Sequence, residues 1–244
     1  MRHRLPLTLL KCTGLVLVAT LAWFRAAGAD PWQPLEVGRR WEYRGVGGAH
    51  QVERITGTLL LRGRTVGVKT YSEGADAGLE NYWQLGADGT VLLCGFNNPG
   101  AAFALAYEPP IAYLPGPPAL GVSRTTDVTA YSLSDGSVFA AFTIQFSVLE
   151  EVDLSLPAGA FHALGTGQVL SAPRAIVAGA RAFSLDGRSL GRTLPGIAPS
   201  PTDWYADGFG VVQYRTSDLY QLVSMALPTP SVHSSWTAIK RLYQ

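Results

Sequence analysis

Residues 138–150 read Val-Phe-Ala-Ala-Phe-Thr-Ile-Gln-Phe-Ser-Val-Leu-Glu, and their alternation decides the fold class. Phe142, Ile144, Phe146 and Val148 fall on one side of an extended chain, while Thr143, Gln145 and Ser147 fall on the other. A period of two is the signature of a strand with one face on a core and one in water. The turn for this strand is written just before it: Asp135-Gly136 tolerates the backbone angles of a tight hairpin, so residues 129–133 are the expected partner.

The same grammar repeats outward in both directions. Trp41 and Tyr43 alternate with Arg40, Glu42 and Arg44 in a strand over 40–45. Strands over 51–62 and 65–72 are expected to form a hairpin through Gly63 and Arg64, and strands over 81–85 and 90–96 flank Asp88-Gly89. Further strands are expected over 161–171, 176–184, 210–215 and 219–227. Prolines at 109, 110, 115, 117 and 118 mark the stretch from Glu108 to Gly121 as a surface connection, because proline cannot donate to a ladder. The Gly-, Ser- and Pro-rich stretch from Gly187 to Pro201 reads as a long loop, either a lid or rim by its length or an insertion of no functional consequence. Nowhere after residue 30 do apolar residues recur at helical spacing over a long stretch. The expected fold is all-β, a curved antiparallel sheet of half-barrel or sandwich-like form.

The amino terminus has a different character. Arg2, Arg4 and Lys11 precede an apolar run from Leu15 to Phe24, and small residues end at Ala27, Gly28 and Ala29. That is the layout of a secretory signal peptide, with cleavage expected after Ala29. The apolar run is shorter than the ~20 residues of a spanning helix. Cys12 is a poor lipid-attachment site, since Lys11 precedes it and the main apolar stretch follows it. The expected organisation is a signal peptide over 1–29 and one antiparallel β domain over 30–244, in a periplasmic or secreted protein.

Removing residues 1–29 leaves 15 basic against 18 acidic residues, a formal charge of −3. A mildly acidic chain without basic clusters argues against nucleic acid and against an anionic membrane surface. One cysteine, Cys94, remains, so no internal disulfide forms; its run Val91-Leu92-Leu93-Cys94 reads as buried core.

The search for chemistry returns little. No Gly-x-Ser-x-Gly elbow occurs. His50, His162 and His233 are scattered, without metal-ligand spacing, and the Asp-Gly pairs at 88, 135 and 186 are turn residues. No catalytic residue, metal site or cofactor is therefore assigned. Glu150, Glu151 and Asp153 form an acidic group read either as a solvated strand end or as part of a hydrolase carboxylate site. The aromatic residues remain. Trp41, Tyr43, Tyr82, Trp83, Phe96 and Trp204 are the candidate ligand-binding residues, with core packing as the alternative role for each.

Two segments carry a family resemblance. Pro34-Leu35-Glu36-Val37-Gly38-Arg39-Arg40-Trp41-Glu42-Tyr43 resembles the opening of a broad group of uncharacterised bacterial exported proteins. Leu156-Pro157-Ala158-Gly159-Ala160-Phe161, followed by Trp204-Tyr205-Ala206-Asp207-Gly208-Phe209-Gly210-Val211-Val212, resembles the closing half of the same group. That group is similar in outline to periplasmic half-barrels of the lipoprotein-carrier type, in which a curved sheet holds an apolar concavity. The resemblance implies a fold and a compartment and no mechanism. The function expected is non-enzymatic: binding of a lipid-like or other apolar ligand, or of a cell-envelope component. The alternatives are a structural or interaction module of the envelope and a hydrolase with an unrecognised carboxylate site.

Overall fold

Period-two segments joined by tight turns leave each strand one natural neighbour, the next in the chain. In the computed structural model, which describes residues 31–171, 185–186 and 201–228, that rule holds around the whole molecule. Twelve strands follow one another: β1 (Arg40–Gly45), β2 (His50–Leu61), β3 (Arg64–Glu73), β4 (Glu80–Leu85), β5 (Val91–Asn98), β6 (Phe103–Leu114), β7 (Ser123–Ser132), β8 (Val138–Leu156), β9 (Gly159–Ser171), β10 (Asp203–Ala206), β11 (Gly210–Arg215) and β12 (Leu219–Ala226). Each pairs antiparallel with its chain neighbours, and β12 returns to pair with β1. The all-β antiparallel expectation is met. Its curvature goes further than a half-barrel: the sheet closes on itself, which removes both edges.

Turn chemistry sets the hairpins. Arg62 and Gly63 both take positive φ, +46° and +78°, as the two-residue turn between β2 and β3 requires. The turn thus sits one residue earlier than the sequence suggests. The alternation in β8 is as expected, with Phe142, Ile144, Phe146 and Val148 buried and Thr143, Gln145 and Ser147 on the outer face. Further along the same strand, Glu151 and Asp153 also point outward. This stretch of the outer face of β8 presents hydroxyls, an amide and carboxylates to water.

Two readings need correction. The stretch from Glu108 to Gly121 is not simply a surface connection, since β6 runs through Pro109 and Pro110 to Leu114, with Ile111 and Tyr113 in the core. The prolines are tolerated because they lie where β6 is out of register. Pairing with β5 jumps from Ala106 to Ile111, and pairing with β7 stops at Glu108, so no ladder bond is lost at either proline. Trp204 and Tyr205, adjacent in sequence, would face opposite ways in a regular strand, yet both are buried. A register shift between them in the β10–β11 pairing disturbs the alternation. The expected signal peptide over 1–29, strand over 176–184 and loop over 187–201 lie outside the described residues, Leu185, Asp186 and residue 201 apart.

The core is one contiguous cluster fed by strands all round the barrel, including Trp41, Tyr71, Trp83, Phe96, Tyr113, Phe146, Tyr205 and Tyr214. A second, smaller cluster of Leu61, Val66, Val68, Tyr82, Cys94 and Ala106 lies apart, on the other face of β2–β6. One end of the barrel is sealed by residues 31–39, where Gln33 and Pro34 are buried and Leu35 packs against Gly67. Gly38, at φ +96°, turns this strap and donates its N–H to the Ile55 carbonyl.

The strap runs into β1, whose side chains clamp the other end of the chain. Arg39 donates to the Gly208 carbonyl at 3.1 Å, Trp41 Nε1 to the Phe209 carbonyl at 2.6 Å, and the Tyr43 hydroxyl to the Val211 carbonyl at 2.7 Å. All three acceptors lie in or beside the β10–β11 turn, where Gly208 and Gly210 hold φ of +75° and +85°. The two segments that carry the family resemblance are thus one structural unit. Replacing Tyr43 by Phe should destabilise the barrel by about 1–3 kcal/mol in urea unfolding, since it orphans a buried carbonyl. Arg44→Ala on the outer face should stay within about 0.5 kcal/mol.

Candidate functional site

The six candidate aromatics are distributed as follows. Trp41, Tyr43, Trp83, Phe96 and Trp204 share the main core, and Tyr82 lies in the second cluster. Trp41 and Tyr43 direct their polar ends at the β10–β11 turn, and Trp204 Nε1 donates to Glu150. That last contact fixes one member of the acidic group: Glu150 turns toward Trp204 across Gly165, where a Cβ would stand 2.7 Å from Glu150 Cγ. Tyr82 gives its hydroxyl to Glu80, and burial first, then that carboxylate, push its pKa up. Around Trp83, the Tyr113 ring packs edge-on at 5.3 Å and Tyr113 meets Phe146 at 4.5 Å.

A polar set that the sequence reading missed lies among these rings. Lys69 and Glu53, 4% and 1% exposed, meet at 2.7 Å, with the ammonium 5.4 Å from the ring centres of Tyr71 and Trp83. Both are legible in hindsight. Lys69 shares strand parity with Tyr71, and Glu53 with Ile55, so the period-two rule points both inward. Farther along the interior, Leu185 and Asp186 from the β9–β10 connection reach residues of β4 and β6. Tyr107 donates to the Leu185 carbonyl at 2.6 Å, and Asn81 donates to the Asp186 carbonyl at 2.6 Å while accepting from Tyr71 at 2.9 Å. Burial, reinforced by the Asp186 charge, drives the Tyr107 pKa up. The Tyr113 hydroxyl stands 3.5 Å from Asp186 and 3.4 Å from Asp203, both fully buried carboxylates. Spacing alone gives no signal for this meeting, because residues 113, 186 and 203 come together only when the barrel closes.

The outer wall carries two histidines between carboxylates. His162 on β9 stands 2.8 Å from Asp153 and 2.7 Å from Glu151 on β8. His50 stands 2.9 Å from Glu42 and 3.1 Å from Glu73. Glu42 also takes Arg40 and Ser224, so this exposed chain of contacts crosses the seam from β12 through β1 and β2 to β3. The His50 contact, helped by Ser224 and Arg40, lowers the Glu42 pKa. The acidic group at 150–153 is therefore split: Glu150 turns to Trp204, while Glu151 and Asp153 hold His162. Among the described residues no three His, Cys, Asp or Glu side chains converge as metal ligands. Cys94 is buried in the second cluster, and burial pushes its thiol up to about 12.

A cleft of about 370 Å³ opens on the outer wall where β6 parts from β7, with Leu92, Pro109, Pro110 and Ala112 on one side and Arg124 and Asp127 on the other.

No protein-family model matches the chain, and no curated protein matches it in sequence. Among solved structures it is similar to a "putative lipoprotein" from Parabacteroides distasonis ATCC 8503, at 10% identity and a TM-score of 0.33, covering 81% of this chain and 99% of that one. It is also similar to a "putative exported protein with YmcC-like fold" from Bacteroides fragilis NCTC 9343, at 13% identity and a TM-score of 0.39, covering 82% and 100%. At such scores the likeness carries no argument, and the closed barrel described above rests on its own strand pairing.

Two outcomes follow from the charged groups. Glu53→Gln should cost about 3–5 kcal/mol in denaturant unfolding by stranding a buried ammonium, whereas Glu53→Leu with Lys69→Met should be nearly neutral. The Asp153 hydrogen bond, then that of Glu151, raises the His162 pKa. The resulting stabilisation is complete below the ordinary histidine value of about 6.5 and is lost as pH rises through the raised folded value. An NMR titration of His162 should give a midpoint above that ordinary value, and Asp153→Asn should move it down.

Proposed function

We propose that the chain is an exported, non-enzymatic interaction module of the cell envelope, working through its outer wall and rim. The observation that carries this reading is the burial of the candidate aromatics in packed clusters of the described residues. The six aromatics proposed as ligand contacts are packed against one another and against neighbouring strands, and the polar ends of Trp41, Tyr43, Tyr82 and Trp204 are bonded within the chain. A carrier of apolar ligands needs a concave apolar space beside such residues. The leader-like segment over 1–29 and the polar outer wall support placement outside the cytoplasm, in water.

The rim supplies a surface for contact. Leu133, Val138 and Phe139, at the β7–β8 turn, are 37%, 63% and 45% exposed. Phe139 lies 4.8 Å from Phe103 in an edge-on contact that runs back to Phe96 and Tyr107 in the core. An exposed aromatic anchored on a rigid core is the kind of residue that dominates protein interfaces.

The test pairs two measurements on the mature protein isolated from its native envelope. Solvent extraction and mass spectrometry should return no stoichiometric lipid, and a photoreactive residue at Phe139 should give a discrete protein adduct that one at Thr143 does not. A lipid recovered at one per chain would overturn the proposal in favour of carriage.

A further inference from the structure

The barrel wall has a built-in gap. β6 and β7 pair from Leu105↔Ser132 to Glu108↔Thr129, and then the ladder stops, although both strands continue for several residues. Pro109 and Pro110 follow at once on β6 and contribute no N–H with which to resume it. β7 meanwhile stays zipped to β8 from Ser123↔Ser147 through Ala130↔Ala140.

The direction of the backbone groups on β7 can be read from its ends. Val122, just before the start of β7, accepts from Val148 of β8, and Ser132 donates to Ser137 at the β7–β8 turn, so the even-numbered residues of β7 address β8. Leu133, just past β7, donates to Ala104 of β6, so the odd-numbered residues of β7 address β6. The N–H and C=O groups of Ser123, Thr125 and Asp127 therefore face the cleft. They form a row about 13 Å long at the strand spacing of ~3.3 Å per residue. No described backbone group pairs with them. All three residues are exposed, and the facing wall of Leu92, Pro109, Pro110 and Ala112 is apolar.

We propose that this gap is a peptide-binding site, in which an extended, acid-containing segment of a partner protein pairs antiparallel with β7. The inference deepens the interaction-module reading and rests on it. Alternating donors and acceptors at two-residue spacing are complementary to another extended backbone. The preference for acid comes from charge. Arg124, half exposed, meets Asp88 at 3.8 Å and donates to Thr90 at 3.4 Å, both through Nη1, which leaves Nε and Nη2 for a partner, whereas Asp127 already accepts from Thr143 at 2.6 Å. Apolar side chains of the bound segment would lie on the two prolines.

The premise and the binding are tested separately. In native-state hydrogen exchange the amides of Thr125 and Asp127 should exchange at least tenfold faster than those of Thr126 and Val128; equal protection would overturn the proposal. The binding probe is a labelled, end-capped pentapeptide alternating valine and threonine around a central glutamate, followed by fluorescence anisotropy. It should saturate below about 1 mM, the weak end of measurable affinity. N-methylation of the two peptide amides facing β7 should weaken it at least tenfold. Thr125→Pro should do the same, because it removes only a donor that faces the gap. Arg124→Glu should reverse the preference between the glutamate peptide and its lysine counterpart. No saturation, or equal binding of the N-methylated peptide, would overturn the site; the peptide arm decides even if Thr125→Pro fails to fold. A Phe139 adduct without peptide binding would sink this site and leave the interaction-module reading standing, whereas one lipid per chain would remove the reading itself.

Discussion

The closure of the sheet depends on β1 being held from two directions at once. Its backbone zips to β12 on one side and β2 on the other, while its inward side chains reach over to the β10–β11 turn. A two-sided strand is ordinary in any sheet; the side-chain clamp is what ties it to a third element. Trp41 and Tyr43 each combine a large apolar body with one directed donor. The carbonyls of Phe209 and Val211 sit beside glycines in left-handed conformation, so they would lose their partners if β1 moved. The ends of the described barrel are thereby fastened through contacts some 168 residues apart in sequence. Contacts of such sequence separation raise the contact order, which favours slow folding.

Closing twelve strands into a ring leaves an interior that apolar side chains alone do not fill here. Part of the polar remainder meets in small groups: Lys69 with Glu53, Tyr71 with Asn81, and Tyr113 beside both Asp186 and Asp203. A buried ion pair adds little net stability relative to an apolar pair, but removing one partner is costly. Groups of this sort favour one register over its neighbours, because a slip by one residue would turn Lys69 and Glu53 to the outer face and strand their apolar neighbours in water.

Strands with strict alternation were legible in the sequence: Arg40–Gly45 and Gly210–Arg215 are where the pattern puts them, and β8 shows its expected faces. What was not legible depends on departures from that period. Pro109 and Pro110 argue against a strand for any reader of local sequence, and only the lost register with β5 and the end of pairing with β7 make room for them. Trp204 and Tyr205 break the alternation through a bulge whose cause lies in the partner strand. For the candidate site, aromatic content predicted burial but not occupancy, because a residue lining a cavity and one filling a core share the same parity. The inward lysine and glutamate were readable from that same parity.

Closed barrels remove the edges of a sheet, and here the β1–β12 seam does so, with the His50–Glu42–Ser224 contacts lying across it. Stretches paired on one side remain, since β2 pairs with β1 only as far as Arg54 and β8 with β7 only as far as Ser147. The stretch between β6 and β7 differs from these in having two prolines opposite it. A defect of packing would leave polar backbone facing apolar neighbours without water; here the free groups of Ser123, Thr125 and Asp127 are exposed, and the prolines opposite need no partner for their nitrogens. The gap thus costs little in the isolated barrel and leaves one length of β7 without a backbone partner among the described residues.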